Sequence, residues 1–428
     1  MTATAGGEAR MAMTEGRAAR PFGLRLFNGA GAALRNLGLP LVRLEADQLL
    51  SKARRQTGLD DFGDDGFQEP LRRLIASLER DGGLTVLGRI IARDDLVRLL
   101  SNRLRVVETC KRHPEIEAGA IERPLFILGL PRTGTSILHE LLAQDPANRV
   151  PMTWEVMHPF PPPEQATFDT DPRIAQVERR FAGVDRVIPN FKAIHPLGAR
   201  LPQECVAITQ HEFMSLVWHT TFRVPSYQVW LDTADHRSVY VAHRRWLQYL
   251  QWKVPATQWV LKSPGHLWNL DALLAVYPDA RVVQTHRDPL RVLASLVSLI
   301  CTLRSMASDA VDPHEIGADW TVRLAAGLTR TMRVRERGLL APQQVFDLHF
   351  HEFMRDEIAM VRRIYRHFDR PLSAEAETRM RSFLAQNRAD KHGRHTYTLA
   401  FGGLDERSER PRYAEYQERY GIPSEAVN

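Results

Sequence analysis

The stretch Leu125–Ser136 reads LFILGLPRTGTS and predicts a buried strand, a glycine-bounded loop and the start of a helix. Its first four residues form the short apolar run that is typical of a strand buried on both faces of a parallel sheet. Gly129 and Gly134 bound the loop, and apolar residues recur with helical spacing after Ser136. This geometry directs backbone N–H groups and a helix N-terminus at one anion. The stretch therefore indicates an anion-binding loop, with an ordinary strand-to-helix turn as the alternative.

The loop differs from a nucleoside triphosphate loop at one position. In the pattern G-x-x-x-x-G-K-[ST], the two glycines and the final hydroxyl correspond to Gly129, Gly134 and Ser136. Thr135 stands where that pattern needs a lysine on the β- and γ-phosphates, and the cation of this loop is Arg132. The loop therefore favours an anion site that does not carry out triphosphate chemistry.

The composition is that of a globular protein. The chain has 428 residues, of which 44% are hydrophobic, and a net charge of +6. This length suits one large α/β domain with a helical extension, or two domains. The basic residues are dispersed and show no zinc-finger spacing, which argues against nucleic acid as a partner. The three cysteines lie far apart, which indicates free thiols. Without a membrane-spanning apolar run or a signal peptide, we expect a cytoplasmic protein.

The first 120 residues predict a helical extension ahead of an α/β body. Residues 1–20 are rich in alanine and glycine, which predicts disorder. Residues 21–44 are apolar with scattered arginines, so they suit either a membrane surface or contact with a partner or the core. Over residues 45–107 the apolar positions recur at helical spacing. We therefore predict the extension over 21–120 and the α/β domain over 121–428.

Short apolar runs alternate with helical segments throughout the body. The runs predict five strands, at residues 125–128, 149–155, 257–262, 281–286 and 344–350. Strands separated by helices in this way predict a parallel sheet with helices on both faces. The expected fold class is α/β, with a central parallel sheet like that of P-loop proteins.

The region from Phe181 to Trp268 is rich in aromatic residues. Six of the eight tryptophans lie between residues 181 and 268. Aromatic side chains usually pack in a core, but they also line pockets for apolar small molecules. We predict a helical insertion over about 160–256, and both roles of its aromatic residues stay open.

Polar side chains stand at the ends of the predicted strands, where ligands of open parallel sheets bind. These side chains are Arg132 in the loop, Glu155, Lys262 and Arg287. Ser295 follows Arg287 by eight residues, which is about two helical turns. Together they predict one site with two anion anchors, a lysine and a carboxylate, and without a carboxylate pair at metal-binding spacing.

These residues resemble the sulfotransferases that use 3′-phosphoadenosine 5′-phosphosulfate (PAPS), in particular their bacterial branch. The resemblance extends over about 123–405 and includes ECVAI near residue 204. It implies a 5′-phosphosulfate loop made of Pro131, Arg132, Thr133, Gly134, Thr135 and Ser136. It also implies a 3′-phosphate site at Arg287 and Ser295, over which the segment KHGRH closes with Lys391, Gly393 and Arg394.

The resemblance further implies an activity. The expected reaction transfers a sulfuryl group from PAPS to a hydroxyl, or second to an amine, of a small or lipid-like acceptor. Its nucleotide product is adenosine 3′,5′-bisphosphate (PAP), and it needs no metal. Lys262 would stabilise the bridging oxygen of PAPS as charge develops there. Glu155 is the first candidate for the general base, His266 the second and Glu204 the third.

Two other functions fit parts of the pattern. An ATP-dependent kinase on the same loop architecture is disfavoured by Thr135 and would depend on Mg²⁺. A non-catalytic nucleotide-binding module would bind the desulfated nucleotide and recruit a partner through its aromatic region. The basic residues of 21–44 leave access to a membrane-borne acceptor open.

Overall fold

The computed structural model describes residues 28–29, 41–187, 197–387 and 398–427. The helical extension is the first region of the chain to be described. Its helices are α1 (Ala46–Thr57), α2 (Gln68–Arg80) and α3 (Val86–Arg112). Leu71, Leu74 and Leu78 lie on one face of α2 and are buried, as their spacing predicts. They share a hydrophobic core with residues between 213 and 239. The extension is therefore packed on the body, and its boundary at residue 120 stays a prediction.

The body is built on a parallel sheet. Its strands among the described residues are β1 (Leu125–Gly129), β2 (Asn148–Arg149), β3 (Gln258–Lys262), β4 (Arg281–His286) and β5 (Val345–His349). They are hydrogen-bonded in the order β2-β3-β1-β4-β5. Phe126 and Leu128 pack into one hydrophobic core, whereas Leu125 and Ile127 pack into another. Because both faces are covered, every residue of β1 is buried. The predicted α/β fold is confirmed.

Helices occupy the intervals between the strands. The helix after β1 is α4 (Thr135–Leu142). Those between β2 and β3 are α5 (Thr153–Met157), α6 (Pro172–Val187), α7 (Cys205–Thr209), α8 (Val217–Thr221), α9 (Pro225–Leu231) and α10 (Arg237–Gln251). Those between β3 and β5 are α11 (Leu270–Val276), α12 (Pro289–Ser305) and α13 (Pro313–Glu336). Those after β5 are α14 (Phe350–Phe353), α15 (Glu357–His367), α16 (Ala374–Gln386), α17 (Glu406–Glu409) and α18 (Ala414–Tyr420).

The second strand is shorter than the sequence pattern predicts. The prediction of a strand over 149–155 is wrong, because β2 ends at Arg149 and α5 starts at Thr153. The carboxylate of Glu155 accepts a hydrogen bond of 2.7 Å from the backbone N–H of Met152. This bond satisfies a backbone donor at the start of α5. A local side-chain contact has therefore overridden the strand-like alternation of the sequence.

The described aromatic residues between 181 and 268 mostly pack in the protein core. Trp218, Tyr227 and Tyr249 are at most 1% exposed. Trp252 and Trp268 are only partly buried and pack against the edge of the core. The observed burial favours the core interpretation over a pocket lining for this part of the chain.

Other compositional predictions fall partly outside the described residues. Residues 1–20 and most of 21–44 are outside, so disorder and membrane contact there stay predictions. Cys110, Cys205 and Cys301 are free and buried, as their spacing predicts. Within the described ranges, no helix has the length and apolar character needed to cross a membrane.

Gly88 near the start of α3 should not tolerate a side chain. A Cβ there would lie 2.0 Å from the backbone oxygen of Ala307, whereas a Cβ at Gly183 in α6 would meet nothing within 4 Å. We expect Gly88→Ala to lower the free energy of unfolding by about 1–3 kcal/mol, because it forces α3 away from the body. Gly183→Ala, the matched control, should raise it by up to about 1 kcal/mol through helix propensity. Urea unfolding measures both, and equal effects would contradict the close contact.

Candidate active site

The loop between β1 and α4 is held from beneath by the neighbouring strand β4. A Cβ at Gly129 would lie 2.0 Å from Oγ1 of Thr285, so only glycine fits there. The hydroxyl of Thr133 lies 2.6 Å from the carbonyl oxygen of Leu130 and 2.6 Å from Thr285 Oγ1. Because the Thr133 side chain is fully buried in these contacts, its contribution to anion binding is restricted to its backbone.

The side of the loop away from β4 carries Arg132, Gly134 and the start of α4. Arg132 has a positive φ of 66° and is exposed, and Gly134 has a φ of 85°. α4 begins directly afterwards at Thr135, so the loop ends at a helix N-terminus, where unpaired N–H groups favour an anion. Pro131 and Ser136 complete the predicted segment at its two ends.

Lys262 ends β3 and joins the loop to a carboxylate. Its side chain is 5% exposed, and the ammonium donates a hydrogen bond to Ser136 Oγ at 3.2 Å. It also forms a hydrogen-bonded ion pair with Glu204, which precedes α7. β3 is paired with β1, which places Lys262 opposite Ile127 and beside the loop. The structure thus brings together two predicted residues and the third candidate for the base.

A cavity of about 70 Å³ opens over this cluster. Lys262, Ser136 and Glu204 are among the polar residues that line it. Its apolar lining consists of Phe181, Leu197, Leu201 and Pro202. The cavity therefore combines charged and polar groups with apolar side chains in its lining.

Glu140 is a further carboxylate in this cavity that the sequence reasoning missed. It follows Ser136 by four residues in α4, so the two lie on the same helix face. Burial raises the pKa of Glu140, and the Lys262 ammonium partly offsets that effect. Among the described residues, no hydrogen bond or ion pair to its carboxylate is present. The helical spacing from Ser136 was the signal that points to it.

Glu155 lies outside the cavity that Lys262 lines. It is fully buried, and its two oxygens accept hydrogen bonds of 2.7 and 2.6 Å from the guanidinium of Arg149. The Arg149 guanidinium also lies over the ring of Trp259, 5.0 Å from its centroid. The role of general base was predicted for Glu155 at a strand end that the chain does not form. Its geometry is that of a structural ion pair.

His266 is also turned into the protein. It lies in the 3-10 turn Pro264–Leu267, and its Nδ1 is 2.8 Å from the hydroxyl of Tyr240. Its ring packs edge-on against Phe126 at 5.2 Å. Burial lowers the pKa of His266 well below its ordinary value, so the ring is neutral at pH 7. It lines a separate cavity of about 50 Å³, and Lys262 does not line that cavity.

Arg287 follows β4 and contacts the loop directly. Its Nη1 donates a hydrogen bond of 3.0 Å to the carbonyl oxygen of Arg132. Its guanidinium lies 4.0 Å from the centroid of the Phe350 ring, and it is paired with Glu425. Ser295 lies two turns into α12 and is buried. The other predicted nucleotide contacts, Lys391, Gly393 and Arg394, lie outside the described residues.

The site contains no metal cluster within the ranges that the structure describes, since no group of three His, Cys, Asp or Glu side chains is suited to hold an ion there. Its cations are instead the side chains of Arg132, Lys262 and Arg287. Such a donor set matches a ligand with separate phosphate or sulfate groups.

Comparison with known proteins agrees with this geometry. The family model described as the sulfotransferase family matches residues 124–374, which is more than half of the chain. The chain belongs to the sulfotransferase family. The matched segment begins just before β1 and includes the loop, Lys262 and Arg287.

Two solved sulfotransferase structures have a similar fold along most of their length. Sulfotransferase STF9 from Mycobacterium avium is 34% identical, with a TM-score of 0.83, over 89% of this chain and 98% of that one. Sulfotransferase STF1 from Mycobacterium tuberculosis H37Rv is 35% identical, with a TM-score of 0.78, over 87% and 99%.

A curated relative carries a specific name. Omega-hydroxy-beta-dihydromenaquinone-9 sulfotransferase Stf3 from Mycobacterium bovis is 26% identical to this sulfotransferase over 262 residues. The alignment covers 57% of this chain and 62% of that protein, so the chain spans less than two thirds of this relative's length.

Glu155→Gln should destabilise this chain, because it leaves the buried guanidinium of Arg149 without its counter-charge. We expect the free energy of unfolding in urea to fall by about 3–5 kcal/mol. The double variant Arg149→Met/Glu155→Gln removes the unpaired charge and should recover part of that loss. A Glu155→Gln variant of unchanged stability that binds nucleotide but has lost transfer would instead support Glu155 as the base.

Proposed function

We propose that this chain transfers the sulfuryl group of PAPS to a hydroxyl of a lipid-like acceptor and releases PAP. The observation that carries the proposal is the position of the Lys262 ammonium. It contacts Ser136 of the anion loop and Glu204, and all three residues line a partly apolar cavity. Lysine, hydroxyl and carboxylate there can stabilise a leaving group and accept a proton at one reacting centre.

The nucleotide would be held by groups that are already adjacent. The loop from Pro131 to Ser136 would bind the 5′-phosphosulfate through backbone N–H groups, Arg132 and the start of α4. Arg287, with Ser295, would bind the 3′-phosphate. The hydrogen bond between Arg287 and the Arg132 carbonyl supports this arrangement, because it couples the two proposed anchors. A cation set without the triphosphate-loop lysine suits this ligand, which requires no bridging metal.

Lys262 would act on the leaving group. As the bond between sulfur and the bridging oxygen breaks, negative charge develops on that oxygen and the ammonium stabilises it. Positioning of the acceptor in line with this bond would supply much of the remaining rate, as in phosphoryl transfer. The new bond forms between the acceptor oxygen and sulfur, and PAP leaves with the electron pair of the broken bond.

Glu204 is our proposal for the general base, in place of Glu155. Its carboxylate lines the cavity and contacts Lys262, whereas both oxygens of Glu155 are held by Arg149. When the Lys262 ammonium turns to the leaving oxygen, Glu204 is released to accept the proton of the attacking hydroxyl. Glu140, in the same cavity, is the competing carboxylate.

The acceptor class follows from the cavity and from the relative. The wall made of Phe181, Leu197, Leu201 and Pro202 suits an apolar molecule. The name of the relative Stf3 specifies an omega-hydroxy-dihydromenaquinone, a lipid-like molecule with a hydroxyl at a chain end. We infer an acceptor of that general chemistry here. We also infer a cytoplasmic location, in line with the three free, buried cysteines.

Nucleotide binding tests the proposal without knowledge of the acceptor. In calorimetry, PAP should bind with micromolar or tighter affinity in the presence of EDTA, and Arg287→Ala should weaken it about tenfold or more through loss of a charge-assisted contact. Lys262→Ala should retain PAP binding and lose sulfuryl transfer. Preference for Mg-ATP would replace the proposal by the kinase alternative. Tight PAP binding without transfer to any alcohol tested would favour the non-catalytic module.

The assignment of the base predicts a contrast between two variants. We expect Glu204→Gln to lower transfer by about 10²–10⁴-fold while PAP affinity stays within twofold of wild type. Transfer of ³⁵S from labelled PAPS to a panel of long-chain primary alcohols, headed by 1-dodecanol, measures it. A larger loss in Glu140→Gln than in Glu204→Gln would assign the base to Glu140 instead.

A further inference from the structure

Glu425 near the end of the chain occupies the guanidinium of Arg287. Its two carboxylate oxygens accept hydrogen bonds from Nε and Nη2 of Arg287, both at 2.9 Å. The two side chains are 15% and 18% exposed, so the pair is largely shielded from water. Burial raises the pKa of Glu425, but the hydrogen bonds from Arg287 outweigh it and the net pKa is lowered. The carboxylate is therefore charged at neutral pH.

The segment that carries Glu425 is held at several points by residues next to Arg287 and elsewhere in the body. The backbone N–H of Glu425 donates a 2.7 Å hydrogen bond to the carboxylate of Asp288. Arg410 donates to the same carboxylate at 3.2 Å and to the hydroxyl of Ser424 at 2.8 Å. His351 Nε2 lies 3.1 Å from the Glu425 carboxylate. The position of Glu425 is thus specified by its surroundings and is not that of a loose terminus.

A carboxylate and a phosphate can bind the same edge of a guanidinium. Both accept two parallel N–H bonds from one edge of the fork. In Arg287, Glu425 takes the edge made of Nε and Nη2, while Nη1 is bonded to the Arg132 carbonyl. A 3′-phosphate that accepted hydrogen bonds from Nε and Nη2 would lie against the Glu425 carboxylate. Like charges at such short distances repel strongly. A 3′-phosphate bound through the Nε–Nη2 edge and the Glu425 carboxylate would therefore exclude each other.

We propose that Glu425 is an intramolecular competitor of the nucleotide 3′-phosphate, which pairs with Arg287 when the site is empty and leaves it when a 3′-phosphorylated nucleotide binds. The inference rests on the proposed function, in which Arg287 is the 3′-phosphate anchor. Only molecules with Arg287 unpaired are competent to bind. The apparent affinity for PAPS and PAP is therefore the intrinsic affinity multiplied by the fraction of competent molecules. Return of the carboxylate to Arg287 would favour release of PAP, a step that limits turnover in many enzymes.

The opposite role makes the opposite prediction. If Glu425 stays on Arg287 and only orients it, removal of the carboxylate charge should weaken nucleotide binding. If Glu425 competes, the same change should tighten it. The sign of one affinity change therefore decides between a positioning residue and a competitor.

Calorimetric titration of Glu425→Gln with PAP is the test. We expect PAP to bind about fivefold or more tightly than in wild type, as for a coupling of ordinary size. Affinity for 5′-AMP, which lacks only the 3′-phosphate, should be unchanged because it does not require displacement of Glu425. Glu415→Gln in α18 is the matched control: it is exposed and removes the same charge without contact to Arg287. Glu425→Ala serves as the second variant if Glu425→Gln has a lowered melting temperature.

The outcomes separate this inference from the proposed function. Equal PAP affinity in wild type and Arg287→Ala would show that Arg287 is not the anchor, and the proposed function would lose its 3′-phosphate site. Weaker binding in Arg287→Ala together with unchanged or weaker binding in Glu425→Gln would overturn only the competitor. Tightening in Glu425→Gln that disappears in Arg287→Ala/Glu425→Gln would support both, since the effect then acts through Arg287.

Discussion

The contact of strand β4 with the loop between β1 and α4 is the constraint on which the rest of the site depends. At Gly129 the backbone of β1 approaches Thr285 so closely that a Cβ would lie 2.0 Å from its hydroxyl. Thr133 then bonds to Thr285 and to Leu130. Because these contacts are buried, the loop turns above the sheet in one conformation, with Arg132 exposed beside Arg287.

The cations beneath and beside this loop are paired with carboxylates of the chain itself. Lys262 is paired with Glu204, and Arg287 with Glu425. A largely buried charge without a partner is costly, so a cationic, anion-binding site that must be empty part of the time needs internal counter-charges. An incoming ligand that brings its own sulfate and phosphate would release both carboxylates. In our proposals one then becomes available as a base and the other regulates nucleotide affinity.

Sequence reasoning located candidate residues that stand next to a strand end along the chain, and their functional roles stay predictions. The loop at 131–136, and Lys262 and Arg287 after their strands, follow from apolar runs and the polar residues at their ends. The predicted strand over 149–155 is wrong, since Glu155 lies in α5, where its carboxylate accepts from Met152 N–H and pairs with Arg149. The role of Glu155 as general base stays a prediction, and our proposal assigns that role to Glu204. Sequence reasoning ranked Glu204 last, since that residue lies 58 positions before Lys262 and meets it only in the folded chain.

The sequence by itself determined the α/β class and the resemblance to the sulfotransferases. It also determined which candidate functional residues follow which strands along the chain. These features arise from local periodicity and short motifs, which are physical properties of neighbouring residues. Only the tertiary structure decided which carboxylate meets Lys262, and that Glu425 meets Arg287. Those two pairs join residues 58 and 138 positions apart. Their proximity depends on how helices and the C-terminal segment pack on the sheet, and no local pattern encodes that packing.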